Sequence, residues 1–136
     1  MPRMIRRSSR RTTLALTAAF AATVTLGACG GGSSTPATVP VDADVVVRAL
    51  DGVVWDAAEY SATATDGEVQ IYGVNDSGIA HNLHVQTADG TSIGDLVDLP
   101  ARGSDGMKTW KLEPGDYRIV CLIPGHQNMD SLLTVS

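Results

Sequence analysis

From residue 41 onward, short apolar or alternating runs of four to eight residues follow one another, separated by turn-forming residues. The runs cover residues 45–49, 52–55, 60–64, 69–74, 83–86, 92–99, 108–112, 117–122 and 132–135. Between them lie short clusters rich in Asp, Asn, Gly and Pro, which favour tight turns. Residues 56–60 could form one helical turn, but no stretch has convincing amphipathic-helix spacing. The pattern therefore predicts an all-β sandwich or barrel.

The first 28 residues have the composition of an export signal. Five arginines and no acidic residue accompany an apolar stretch at 14–26, which is short for a membrane span but suits a signal peptide. The stretch ends in the sequence LGAC at 26–29, which resembles the lipobox of bacterial lipoproteins. The resemblance implies that Cys29 is lipidated, and an ordinary signal peptide with an incidental cysteine is the alternative. The sequence SRR at 9–11 leaves the general secretory and twin-arginine routes both open.

Residues 30–40 (GGGSSTPATVP) have the composition of a flexible tether, since Gly, Ser, Thr and Pro cannot bury enough apolar surface to fold. The predicted organisation is a signal peptide at 1–28, a lipidated cysteine and tether at 29–40, and one folded domain at 41–136. We expect this domain on the outer face of a bacterial cytoplasmic membrane, attached only through Cys29. A secreted or periplasmic protein is the alternative.

The charge of the chain limits its partners. From Cys29 onward there are five basic and fifteen acidic residues. Nucleic acid is disfavoured as a partner because phosphate binding requires a basic surface. A basic or neutral protein partner fits better, although the acidic surface could equally serve solubility alone.

The last third of the chain contains a cysteine followed closely by a histidine and a methionine. If Cys29 is lipidated, Cys121 has no disulfide partner and is an inert thiol, a reactive thiol or a metal ligand. After Cys121, the dipeptide Pro-Gly at 124–125 can turn the chain and bring His126 and Met129 back towards the cysteine. Thiolate, imidazole and thioether suit copper, especially Cu(I). His81, at the start of another run, is available as a fourth ligand.

Two segments resemble the copper-binding stretches of the cupredoxins, the small blue copper proteins that include azurins, plastocyanins and amicyanins. These are VQIYGVNDSGIAHNLHV and LEPGDYRIVCLIPGHQNMDSLLTV. The resemblance implies a Greek-key β-sandwich of about seven or eight strands that binds one type 1 copper ion. It places His81, Cys121 and His126 in the trigonal plane and Met129 as the axial ligand. Two residues separate His126 from Met129, whereas azurin-like loops have three and plastocyanin-like loops four.

The resemblance also implies roles for neighbouring residues. The main-chain N–H groups of Asn82 and Ile123 would donate hydrogen bonds to the copper-bound thiolate, and the Asn82 side chain would tie the two segments together. The Ala80 carbonyl would lie near the metal. By contrast, strand alternation points His84 away from the site.

The function that the resemblance implies is one-electron transfer to transient redox protein partners, by a monomer that is not an enzyme. Electrons would leave through the exposed edge of His126, within an apolar patch formed by Ile79, Ile123 and Pro124. A copper storage or delivery protein of the cell envelope is the alternative. Copper nitrite reductases and multicopper oxidases need further copper sites and another domain, and three histidines cannot supply those ligands.

Overall fold

The computed structural model describes residues 37–136, which form nine β-strands. The strands are β1 (Val45–Leu50), β2 (Val54–Trp55), β3 (Glu59–Ala62), β4 (Glu68–Asn75), β5 (His81–Thr87), β6 (Ser92–Leu99), β7 (Asp105–Lys111), β8 (Gly115–Val120) and β9 (Asp130–Val135). One sheet has the order β2-β1-β4-β7 and the other the order β3-β9-β8-β5-β6. The predicted all-β sandwich is confirmed.

Alternating burial shows how the strands make this sandwich. In β1 and β9 every second residue is buried, so each strand turns one face to the core and the other outward. The core between the sheets is mostly aliphatic, with two tryptophans. Each indole N–H donates to a main-chain carbonyl, Trp55 to Ile119 at 3.2 Å and Trp110 to Ile93 at 2.9 Å. Both rings are therefore buried without an unpaired donor.

The nine strands of the described residues include β2, a two-residue strand that pairs with the end of β1. One local expectation is wrong, because residues 56–60 form no helical turn. Instead Glu59 begins β3, which pairs in parallel with β9, and the Ala58 carbonyl accepts the Leu132 N–H at 3.0 Å. Pairing with β9 thus draws this segment into extended structure.

The predicted signal peptide, Cys29 and the first part of the tether, residues 30–36, lie outside the described residues. Within residues 37–136 there is no helix with the length and apolar character needed to cross a membrane.

The topology brings two connections to one end of the sandwich. Strands β5 and β8 are antiparallel neighbours, with His84 opposite Val120. The start of β5 therefore lies beside the end of β8. We call residues 75–81, which lead from β4 into β5, the first ligand loop. Residues 121–129, between β8 and β9, are the second ligand loop.

Candidate metal centre

Three metal-ligating side chains from the two loops meet at this end. One ligand atom each from His81, Cys121 and His126 lies within 4.8 Å of the others. His81 and Cys121 are buried, and His126 is partly exposed. Three soft or intermediate donors this close together can bind a single metal ion.

The His81 ring has one nitrogen hydrogen-bonded and one left without a partner. Its Nε2 lies 2.6 Å from the Ser77 hydroxyl, whereas its Nδ1 is buried and has no hydrogen-bond partner. A buried polar atom with no partner is costly, and a bound metal ion would supply the partner. Nδ1 is thus the atom with which His81 can bind a metal.

The second ligand loop is shaped by main-chain hydrogen bonds. The His126 N–H donates to the Ile123 carbonyl at 3.0 Å, and the Met129 N–H donates to the His126 carbonyl at 2.9 Å. The Cys121 N–H donates to the Met129 carbonyl at 3.0 Å and closes the loop. Gly125 has φ +91°, a left-handed conformation that suits glycine. These turns bring His126 back beside Cys121.

The Cys121 sulfur lies between the two loops. It is 3.4 Å from His126 Nδ1 and 3.5 Å from the main-chain nitrogen of Asn82, whose N–H points at the sulfur. The Asn82 side-chain oxygen accepts the Leu122 N–H at 2.8 Å, so one residue contacts the second ligand loop twice. Ile123 is partly buried against the core, and its N–H as a donor to the thiolate stays a prediction.

Met129, the last residue of the second ligand loop, is almost fully buried in the core, at 1% exposure. Together with Cys121 and Leu122 it lines a shallow groove beside β8. Its role as the axial ligand stays a prediction.

The surroundings of His81 favour its neutral form. Burial, and secondly the charge that His126 would carry, lower the pKa of His81 below its usual value. The His81 and His126 ring centroids are 4.9 Å apart, and the Trp55 ring centroid is 6.4 Å from that of His81. A neutral imidazole keeps the lone pair that metal binding requires. His84, three residues after His81 in β5, is partly buried and is not part of the cluster.

The surface around the site carries exposed apolar side chains. Ile79 is 48% exposed and Leu122 is 49% exposed. Pro124 and Ala80 are also exposed, whereas Ile123 is partly buried. Leu122 was missing from the sequence-based patch, although its place directly after a buried cysteine at a strand end could have indicated an outward side chain.

Two buried polar residues of the first ligand loop, Asn75 and Ser77, were also missed. In the sequence they read as ordinary turn residues, yet both are at most 1% exposed. The signal that could have found them is the Asn-x-Ser spacing, since Asn and Ser side chains in turns bond to nearby main-chain groups.

The residues fit a copper ion. A thiolate and two imidazoles with a buried thioether close in sequence form the donor set of type 1 copper sites, and the His81 Nδ1 lone pair is free to bind a metal. Oxygen donors, which Mg²⁺ or Ca²⁺ would need, are not part of the described cluster.

No known family model matches the chain, and no curated protein matches it in sequence. Solved structures do share its fold. Reduced auracyanin from the photosynthetic bacterium Roseiflexus castenholzii has a TM-score of 0.58 and 18% identity, covering 68% of this chain and 95% of that one. An azurin from the methylotroph Methylomonas sp. strain J has a TM-score of 0.57 and 15% identity, covering 67% and 95%. Auracyanin B has a TM-score of 0.57 and 22% identity, covering 78% and 96%.

Proposed function

We propose that this chain, whose fold is that of the cupredoxins, is an extracytoplasmic electron carrier that uses one type 1 copper ion. The observation that supports the proposal most directly is the convergence of His81, Cys121 and His126 within 4.8 Å, with a buried imidazole nitrogen left unpartnered. When bound, copper supplies a centre that exchanges one electron by cycling between Cu(I) and Cu(II).

The protein's part is to keep the donors in place and to bring one of them near the surface. His81 and Cys121 are buried, which limits solvent access to the centre, whereas His126 is partly exposed. Ile79, Leu122 and Pro124, which belong to the two ligand loops, have exposed apolar side chains. A small apolar surface suits weak and rapid encounters with another redox protein.

The test is to add Cu(II) to the purified, copper-free chain. The thiolate ligand should give intense visible absorption and a blue colour, which a mild reductant bleaches and an oxidant restores. The matched variant Cys121→Ser should bind without this absorption, because a hydroxyl cannot supply the thiolate charge transfer. A colourless wild-type protein that binds only Cu(I), or that releases copper readily, would indicate copper storage or delivery and not electron transfer.

Met129 needs its own experiment, because its sulfur is placed by a loop spacing that differs from azurin-like and plastocyanin-like loops. Met129→Leu conserves volume and apolar character, so the fold should be preserved. If Met129 is the weak axial ligand, the blue colour persists and the reduction potential rises. An unchanged potential would place Met129 outside the copper coordination.

The cellular side of the proposal is a lipid anchor at Cys29 and a transient redox partner. Cys29→Ala should move the protein from the membrane fraction to the soluble fraction, without changing its blue colour. A Cys29→Ala variant that stays in the membrane fraction would contradict the anchor.

The excess of acidic over basic residues after Cys29 favours a basic or neutral partner. The electron-transfer rate with a basic partner should therefore fall as salt is added.

A further inference from the structure

Among the buried polar groups of the first ligand loop is a continuous hydrogen-bonded chain that ends on His81. It runs from two main-chain carbonyls through the Asn75 amide and the Ser77 hydroxyl to His81 Nε2. Asn75 and His81 are fully buried, and Ser77 is 1% exposed. Because water does not reach these groups, their hydrogens must be distributed among themselves.

The first link fixes the orientation of the Asn75 side chain. Its Nδ2 donates to the Ile79 carbonyl at 2.7 Å and to the Leu99 carbonyl at 2.9 Å. The reversed amide would place an oxygen against both carbonyl oxygens, which is unfavourable. Asn75 Oδ1 must therefore point at Ser77, where it accepts the main-chain N–H at 2.9 Å.

The second link sets the direction of the Ser77 hydroxyl. Its oxygen lies 2.8 Å from Asn75 Oδ1 and 3.1 Å from the Ile79 carbonyl, and neither oxygen has a hydrogen to offer. A hydroxyl has one hydrogen, and when it is donated to Asn75 the serine oxygen presents a lone pair to His81. The 2.6 Å contact with Nε2 then requires the hydrogen to be on the imidazole.

We propose that Asn75 and Ser77 are positioning residues that hold His81 as the tautomer with hydrogen on Nε2 and the lone pair on Nδ1. This inference rests on the proposed copper site, since it is Nδ1 that would bind the metal. The nitrogen of a histidine that binds a metal is set by the hydrogen bond of the other nitrogen, and loss of such a partner costs about tenfold to hundredfold in metal affinity. His81 thus has its Nδ1 lone pair available for the metal in the copper-free protein.

The experiment measures the His81 tautomer in the copper-free, ¹⁵N-labelled protein by long-range ¹H–¹⁵N correlation at neutral pH. We expect a protonated Nε2 and an unprotonated Nδ1 in the wild type. In Ser77→Ala the imidazole has lost its partner, so a mixture of tautomers should appear and Cu(II) affinity should fall about tenfold or more. Ser77→Thr, which keeps the hydroxyl, should restore both.

Ser131→Ala is the matched control. Ser131 is also buried, and its hydroxyl donates to the Ala57 carbonyl at 2.6 Å, outside the chain of bonds to His81. Removing that hydroxyl should lower stability but leave the His81 tautomer unchanged.

A hydrogen on Nδ1 in the copper-free wild type would overturn the inference. So would a Ser77→Ala variant with the wild-type tautomer and affinity. Because the tautomer is measured without metal, its outcome is separate from that of the proposed function. Failure of the wild type to bind copper would reject the function and leave the tautomer result standing.

Discussion

The two ligand loops reach the same site but are stabilised by different parts of the chain. The first ligand loop has main-chain bonds only at its start, where Asn75 and Asp76 bond to neighbouring segments, and its internal bonds come from side chains. Asn75 and Ser77 bond within the loop, and the Asp51 carboxylate accepts the Gly78 N–H at 2.9 Å from outside it. In the second ligand loop the closing bonds are main-chain to main-chain, together with one from Asn82. The first loop is thus specified by residue identity and the second by length and backbone conformation.

This difference predicts how each loop responds to substitution. A main-chain bond survives the loss of a side chain, whereas a bond made by a buried side chain leaves its partner unpaired when that side chain is removed. Apart from its ligands and Gly125, the second loop should tolerate changes of side chain. The first loop should not tolerate loss of its hydrogen-bonding side chains, Asn75 and Ser77.

The largest effect is expected for Asn75→Ala. The substitution removes the donor to the Ile79 and Leu99 carbonyls and the acceptor of the Ser77 N–H and hydroxyl, and Asn75 itself is fully buried. We expect the free energy of unfolding to fall by about 3 kcal/mol, because each unpaired buried group costs about 1–3 kcal/mol before relaxation. Urea denaturation of the copper-free protein measures it.

Asn128→Ala in the second ligand loop is the comparison, since Asn128 is exposed. Its cost should be within about 0.5 kcal/mol. Equal losses in the two variants would contradict the distinction between the loops.

The next effect compares a glycine from each loop. Gly125 has φ +91°, and an added methyl group would meet no neighbouring atom, so Gly125→Ala is opposed by backbone strain alone. We expect a loss of about 1–2 kcal/mol. Gly78 has no positive φ, and a methyl group there would lie 3.7 Å from an Arg102 nitrogen, an ordinary contact. Gly78→Ala should therefore stabilise the protein by about 0.5 kcal/mol through the unfolded state. Thermal unfolding shifts of the same sign would contradict this backbone difference.

The same contrast explains what could be predicted from sequence. Strand positions were predictable because alternation and turn residues are local signals, and the run at 92–99 coincides with β6. The meeting of His81, Cys121 and His126 was expected because two segments of the chain resemble the copper-binding stretches of the cupredoxins. The second ligand loop was therefore recognisable.

What sequence did not reveal depends on the third dimension. Alternation assigns faces but not partners, so the parallel pairing of β1 with β4 and of β3 with β9 was not predicted. For the same reason the burial of Asn75 and Ser77 was missed. Turn residues are usually solvated, but here the Asn75 amide bonds to the Leu99 carbonyl of β6, which is distant in sequence.

A smaller effect is expected from pH, through His81 in the first loop. Burial, and then the charge of His126, hold its pKa below the usual value in the folded, copper-free protein. The unfolded chain binds a proton near pH 6.5 and the folded chain only at lower pH, so stability is fully present above about pH 6.5 and is lost as pH falls below it. The denaturation midpoint should decrease from pH 7.5 to pH 5.5.

His84→Gln is the control for this pH effect, because burial lowers the pKa of His84 as well. The variant should retain the part of the decrease that belongs to His81. If the decrease vanishes entirely in His84→Gln, it is caused by protonation of His84 in β5 and not by protonation of the ligand-loop residue His81.

The smallest effect is expected from the ion pairs beside the loops. Arg102 bonds to the Asp51 carboxylate at 3.1 Å and to the Asp76 carbonyl, while Arg118 pairs with Asp130 at the end of the second loop. These side chains are substantially exposed, and exposed pairs contribute little and are screened by salt. Arg102→Gln should therefore lower the denaturation midpoint slightly at low salt, and the difference should shrink at high salt. Arg118→Gln should do the same, but only Arg102→Gln removes a donor to the loop's main chain. At high salt we therefore expect a remaining decrease in the denaturation midpoint for Arg102→Gln alone. Equal remaining decreases in the two variants would show that side-chain bonds stabilise both loops to the same extent.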